Sequence, residues 1–190
     1  MAMRLAWVKF CLIIAFGFAA LIFSNCGWYV HRGVHCRFSS EDDIRIAVLD
    51  FEQEGMLGGE KLGSFAADEL TAALFLQGRV GVIDRAQVRA AMLAGNFTTI
   101  YLSATEVQKL GELLKADYLI LGKITSVGQQ NFLSNNEVNF RLRVICRVLA
   151  VSDGRVMGVV QYQKKCKNNI REVVNEVIVD MATAIKLHAR

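Results

Sequence analysis

The chain has 190 residues, with 22 Lys and Arg against 18 Asp and Glu, a formal net charge of +4 and 53% hydrophobic residues. That balance excludes a disordered polyelectrolyte, and three histidines with no proline leave little for histidine-based chemistry or a rigid extended linker. A pI of 8.9 does not indicate nucleic-acid binding here, because removing Arg4 and Lys9 with an exported leader lowers the charge to +2.

The first 25 residues have the form of a lipoprotein-type signal. Arg4 and Lys9 precede the uncharged stretch Phe10–Phe23, which is shorter than the roughly 20 apolar residues of a membrane span. The stretch ends at Ser24-Asn25-Cys26, where a bacterial lipoprotein is cut before the cysteine and acylated on it. Phe23 and Asn25 depart from the usual residues of that site, so two readings stand: lipidation of Cys26, or an uncleaved amino-terminal anchor reaching to Val30. Both export the body of the protein and hold it at a membrane. Residues 26–43 form a tether spanning at most ~60 Å. Within it Cys26, His31, His35 and Cys36 fit none of the usual zinc spacings, and no metal or cofactor is expected.

One domain, 44–190, follows. Ile44–Phe51 is a short apolar run rich in β-branched residues and reads as a strand, ended by the acidic, Gly-rich loop Glu52–Gly59. Leu62, Phe65, Ala66, Leu70, Ala73 and Leu74 recur at helical spacing up to Gly78. Val80–Asp84 is a second strand, which completes a βαβ unit. Asp84 caps a helix over 85–94 that stops at Gly95-Asn96, and Ser103-Ala-Thr-Glu106 is a capping box for the next helix. Tyr118–Thr125 is a strand and 129–137 a polar turn. Asn139–Val151 and Arg155–Lys165 form a hairpin turning at Asp153-Gly154, and an amphipathic helix over about 168–187 closes the chain. The expectation is an α/β (α+β) fold with a single mixed sheet, order β-α-β-α-α-β-β-β-α, and helices packed on it.

This order resembles the curli-assembly lipoprotein family (CsgG-like) and its soluble relatives, the FlgO-like envelope proteins and the amino-terminal domain of TolB. The resemblance rests on Ile46-Ala-Val-Leu-Asp-Phe51, Leu62-Gly63, Val82-Ile-Asp-Arg85 with Gln87-Val-Arg, Leu110-Gly111 and Ala116-Asp-Tyr-Leu-Ile-Leu-Gly122, covering about 44–160. These are fold residues, so they imply architecture and compartment before they imply a task. The implied role is a non-catalytic envelope lipoprotein supporting assembly or export of a surface structure, on the periplasmic side of the outer membrane in preference to the inner. The alternatives are a periplasmic activator of a cell-wall synthase and a secretion-pore subunit. The pore is disfavoured because no pair of spanning strands is inserted between the later strands.

Chemistry is thin. Gly55-x-x-Gly-Gly-Glu-Lys-Leu-Gly-Ser64 sits where a phosphate-binding loop would, but Glu60 precedes Lys61 and Leu62 follows it, so the lysine and hydroxyl cannot converge on a phosphate. No nucleophile elbow or zinc-protease motif occurs, and Asp50 and Asp84 at strand ends are a weak pair. No enzyme is expected. The one unusual surface is in the strand Asn139–Val151, where Arg141, Arg143 and Arg147 alternate with an apolar set. A two-residue turn at Asp153-Gly154 sets Lys164 near Arg143, Tyr162 near Ile145, Cys146 opposite Gln161 and Cys166 opposite Arg141. With Phe75 on the polar side of the first helix, these residues make a candidate partner-binding face for an acidic protein or anionic head groups. The partners are envelope proteins, with no nucleic acid, and a homo-oligomer is open. The alternative is a solvated sheet face, or one covered by the last helix with Glu172 and Glu176 as counterions.

Overall fold

β1 (Arg45–Val48) lies one strand in from an edge of the sheet, and the helices take up positions on either side of that sheet. The computed structural model describes residues 44–55, 61–78, 80–98, 102–130, 138–167 and 169–187. In chain order β1 is followed by β2 (Glu52–Glu54), α1 (Leu62–Gln77), β3 (Gly81–Val82), α2 (Arg85–Ala94) and α3 (Ala104–Leu114). The long strands β4 (Tyr118–Gln130), β5 (Val138–Ala150) and β6 (Val156–Lys167) come next, and α4 (Ile170–Leu187) closes the fold. The sheet order is β3-β1-β4-β5-β6, with β2 also on β4. β3, β1, β4 and β2 run parallel, and β4-β5-β6 is an antiparallel meander. The mixed α+β class with helices packed on one sheet is as expected.

Three differences from the expected elements have physical causes. Glu52–Glu54 is a strand rather than part of a loop: β1 pairs with Tyr118–Ile120, the chain breaks at Leu49–Phe51, and β2 resumes along the same edge of β4 opposite Lys123–Thr125. Three polar residues give no apolar signal, and their pairing with β4 makes them a strand. β4 runs on through Gln129 and Gln130, which the expected turn had claimed, because β5 supplies partners as far as Gln130↔Val138. The β5–β6 connection is a four-residue loop, Val151–Gly154, closed by Ala150 N–H to the Arg155 carbonyl at 3.0 Å. It is followed by a bulge in which Met157 lies between the paired Gly158 and Val156. The register therefore moves by one residue from that of a two-residue turn.

The sheet buries both faces. On the first, Ile46, Val48, Ile120, Ile124, Leu142, Val144, Cys146, Val148, Val160 and Tyr162 meet α1 and α4. On the second, Ala47, Leu49, Leu119, Leu121 and Leu149 meet α2 and α3 through Val88, Val107, Leu110 and Leu114. Two glycines of the quoted motifs are close-approach positions. A Cβ on Gly63 would lie 2.0 Å from the Phe51 carbonyl oxygen, and one on Gly111 would lie 2.3 Å from the Val151 side chain. Among the described residues no helix is long and apolar enough to cross a membrane.

Candidate functional site

At the carboxyl ends of the parallel strands, where α/β sheets commonly place ligands, the polar groups are tied into the fold. Arg85, 8% exposed, begins α2 and reaches back under β1. Its guanidinium donates to the Val48 carbonyl and to the Asp50 carboxylate, and its Nε donates to Asp68 Oδ1 of α1 at 2.9 Å. Arg89, one turn on, donates to Asp68 Oδ1 at 3.2 Å and to Ser64 Oγ at 2.9 Å. Asp84 accepts from the Ala86 amide at 2.8 Å and so caps α2. Both strand-end aspartates thus have structural partners, and Arg85 is the residue that the sequence reading left without a role. Its signal was the run Val82-Ile-Asp-Arg85, in which a basic residue opens a helix that the macrodipole would rather start with an acid.

Two glycines of the phosphate-loop look-alike, Gly55 and Gly63, also face protein. A Cβ on Gly55 would meet the Ser126 carbonyl oxygen at 2.0 Å, so Gly55 packs against β4 as Gly63 packs against Phe51. Lys61 is the N-cap residue of α1 and makes no side-chain cap there. Gly58, Gly59 and Glu60 lie outside the described residues. Among those described, no three His, Cys, Asp or Glu side chains come together as a metal-binding group.

The arginine-bearing surface survives in part. Side chains directly opposite in a ladder share a face, so the pairing places Leu121, Arg147 and Val159 in one row. Lys123, Ile145 and Gln161 form the next row, then Thr125, Arg143 and Gln163, with Arg141 and Lys165 beyond. Arg141, Arg143 and Arg147 are exposed there, Ile145 is half-buried, and no described residue forms an ion pair with any of the three. At the β2 margin Lys123 bridges Glu54 at 3.1 Å and Glu52 at 3.5 Å. Its hydrogen bond to the Glu54 carboxylate, followed by the Glu52 charge, holds the ammonium above the ordinary lysine range.

The other expected members of that face belong elsewhere. Tyr162 pairs with Val144 and Lys164 with Leu142, so both sit on the first face of the sheet, with α4. Tyr162 is 7% exposed, and Lys164 is ion-paired with Glu176 of α4. Burial, and then the nearby Asp180 charge, push the Tyr162 hydroxyl pKa up. The cause of the correction is the four-residue loop and its bulge, since a shift of one residue sends a side chain to the opposite face. Phe75, 69% exposed, is on α1, whose core side also meets that first face. The six candidate residues are therefore not one surface. Cys146 lies opposite Val160, and Cys166 opposite Phe140, so the two cysteines are out of register with one another, as expected, though with other partners. Cys26, the tether with its histidines, and the anchor lie outside the described residues.

No protein-family model and no curated protein sequence matches the chain. Solved structures do match. Lipoprotein GNA1162 from Neisseria meningitidis is similar with a TM-score of 0.56 at 13% identity, over 76% of this chain and 99% of that one. The PelC dodecamer from Paraburkholderia phytofirmans is similar with a TM-score of 0.53 at 12% identity, over 86% of this chain and 99% of that one. At such identities the likeness is one of fold: this mixed α+β domain is also the fold of a lipoprotein and of a dodecamer-forming protein.

Proposed function

We propose that the chain is a non-catalytic, membrane-anchored envelope lipoprotein of the curli-assembly type, which supports assembly or export of a surface structure by holding other envelope proteins. The observation that carries the non-catalytic part is the Asp50–Arg85–Asp68 network. The charged groups at the sheet's ligand end are paired with one another and with the Val48 carbonyl, which leaves them badly placed for acid–base work. The anchor and the compartment, the periplasmic side of the outer membrane, are supported by Ser24-Asn25-Cys26 behind Phe10–Phe23 and by the fold shared with a lipoprotein.

The test has two arms. The mass of the membrane-extracted protein is expected to correspond to a chain beginning at Cys26 with added lipid, and Cys26→Ala is expected to remain unprocessed or leave the membrane fraction. Wild-type protein that retains Met1 through Asn25 would overturn the lipid anchor. In the second arm, material sheared from the surface of cells with and without the protein is compared by mass spectrometry. An unchanged surface fraction would remove the assembly role.

A further inference from the structure

We propose that the uncovered half of the sheet's second face receives the outer face of α4 from a second copy of this chain, so that copies associate head to tail.

The shape of the site limits its occupant. α2 and α3 cover the second face only around Ala47, Leu49, Leu119, Leu121 and Leu149. The rows running from Arg147 to Arg141 continue past them with no described element on top. The uncovered rows are therefore the floor of a step about one helix diameter deep, ~10 Å. A flat lipid surface would rest on α2 and α3 and miss that floor. A helix fits it, lying beside α3 and completing the layer.

Charge and apolar content select the helix. α4 turns Val174, Val177, Ile178, Met181 and Ile185 inward. Outward it shows Glu172, Glu176 and Asp180 at four-residue intervals, with Val179 and Thr183 on the same side. Val179 is 48% exposed. Glu172 and Asp180 are about 12 Å apart along the helix axis, and Arg143 and Arg147 are about 13 Å apart along β5. Between the arginines lies Ile145, with Val159, 39% exposed, beside Arg147. A helix laid along β5 thus sets carboxylates against guanidinium groups at both ends, and with Asp180 at Arg147 it brings Val179, about 1.5 Å away along the axis, over Val159. Glu172 already accepts from Asn169 and Glu176 pairs with Lys164, but each through one carboxylate oxygen, which leaves the second to accept an arginine N–H.

The two surfaces are on opposite faces of one sheet, so the contact is heterologous. Each bound copy presents a fresh pair of surfaces, and the series closes as a ring or extends as a filament. The α1 of the incoming copy has to clear α2 and α3 of its neighbour, which displaces it toward the β6 edge.

The test uses the full chain in detergent, with mass followed by sedimentation at low and high salt. The wild type is expected to self-associate at low salt and to dissociate as salt rises. Arg143→Glu with Arg147→Glu is expected to weaken association about tenfold or more, and Asp180→Lys with Thr183→Lys to do the same. All four substitutions together restore complementary signs and are expected to restore association. Circular dichroism checks that each variant is folded, and Arg143→Gln with Arg147→Gln serves as the milder form if the reversal is not. A wild type that stays monomeric, or an assembly indifferent to salt and to both pairs, overturns the proposal. So does a monomer whose arginine face instead captures an acidic helical peptide or vesicles of anionic lipid.

Discussion

Arg85 joins β1, α1 and α2 through three acceptors: the Val48 carbonyl, Asp50 and Asp68. Truncation to alanine would strip a buried carbonyl of its donor and leave Asp50 without its arginine, while Asp68 keeps Arg89. Hydrogen bonds to charged groups contribute about 1.5–3 kcal/mol, so Arg85→Ala should lower the unfolding free energy from urea titration by that order, through a lower midpoint with an unchanged slope. A loss of only a few tenths would show that water replaces the guanidinium. Tyr162 gives a pH test. Its hydroxyl pKa is raised in the folded chain, first by burial and then by Asp180. The unfolded chain therefore releases the proton first, and this contribution to stability is intact below the ordinary tyrosine value. It is lost as pH rises through that value toward the raised one. Tyr162→Phe should flatten the fall of stability above about pH 10. An equally steep alkaline fall in the variant would place its cause elsewhere.

At the scale of elements, α3 shows how far local sequence can specify structure. Ser103 accepts from the Glu106 amide, Glu106 accepts in return from the Ser103 amide at 2.8 Å, and Lys115 ends the helix in the left-handed conformation. Ser103→Ala should cost about 1 kcal/mol by thermal denaturation. The Ser103 hydrogen bonds hold the Glu106 carboxyl below its ordinary pKa, so its contribution is present above the usual glutamate range. It is lost as pH falls through the lowered value, and the Ser103→Ala difference should shrink in acid. A difference independent of pH would mean that the hydrogen bond from the Ser103 hydroxyl to the Glu106 carboxylate contributes nothing. β6 marks the limit of local specification. Its alternation in sequence gives a strand, but not which side of it faces α4, because the loop Val151–Gly154 and the bulge at Met157 decide that.

For the whole molecule, the long strands β4–β6 raise the question of a pore, since 9–11 residues can span a bilayer as a strand. Here the first face of those strands is already the core under α4, with Leu142, Val144, Cys146 and Val148 at 1% exposure or less. The second face carries three arginines, each costing ~2–4 kcal/mol against lipid at mid-depth. The chain alone should therefore show no single-channel currents when reconstituted into a planar bilayer. Stable conductance would mean that the meander leaves the core and enters the membrane.

The sequence alone was enough for the mixed α+β class, the four helices close to their bounds, both N-terminal caps and the alternation that sets Arg141, Arg143 and Arg147 apart from Leu142, Val144 and Cys146. These features depend on spacing within one segment, and capping and periodicity act over a turn or two of chain. Tertiary structure alone decided that Glu52–Glu54 is a strand, that Arg85 closes the ligand end of the sheet, and that Tyr162 and Lys164 lie beneath α4 while the arginines face outward. Each of these depends on a partner many residues away or on a longer loop and one bulged residue, which together move the register by one. A one-residue change leaves local preference almost untouched, yet in a period-two strand it reverses every side chain beyond it.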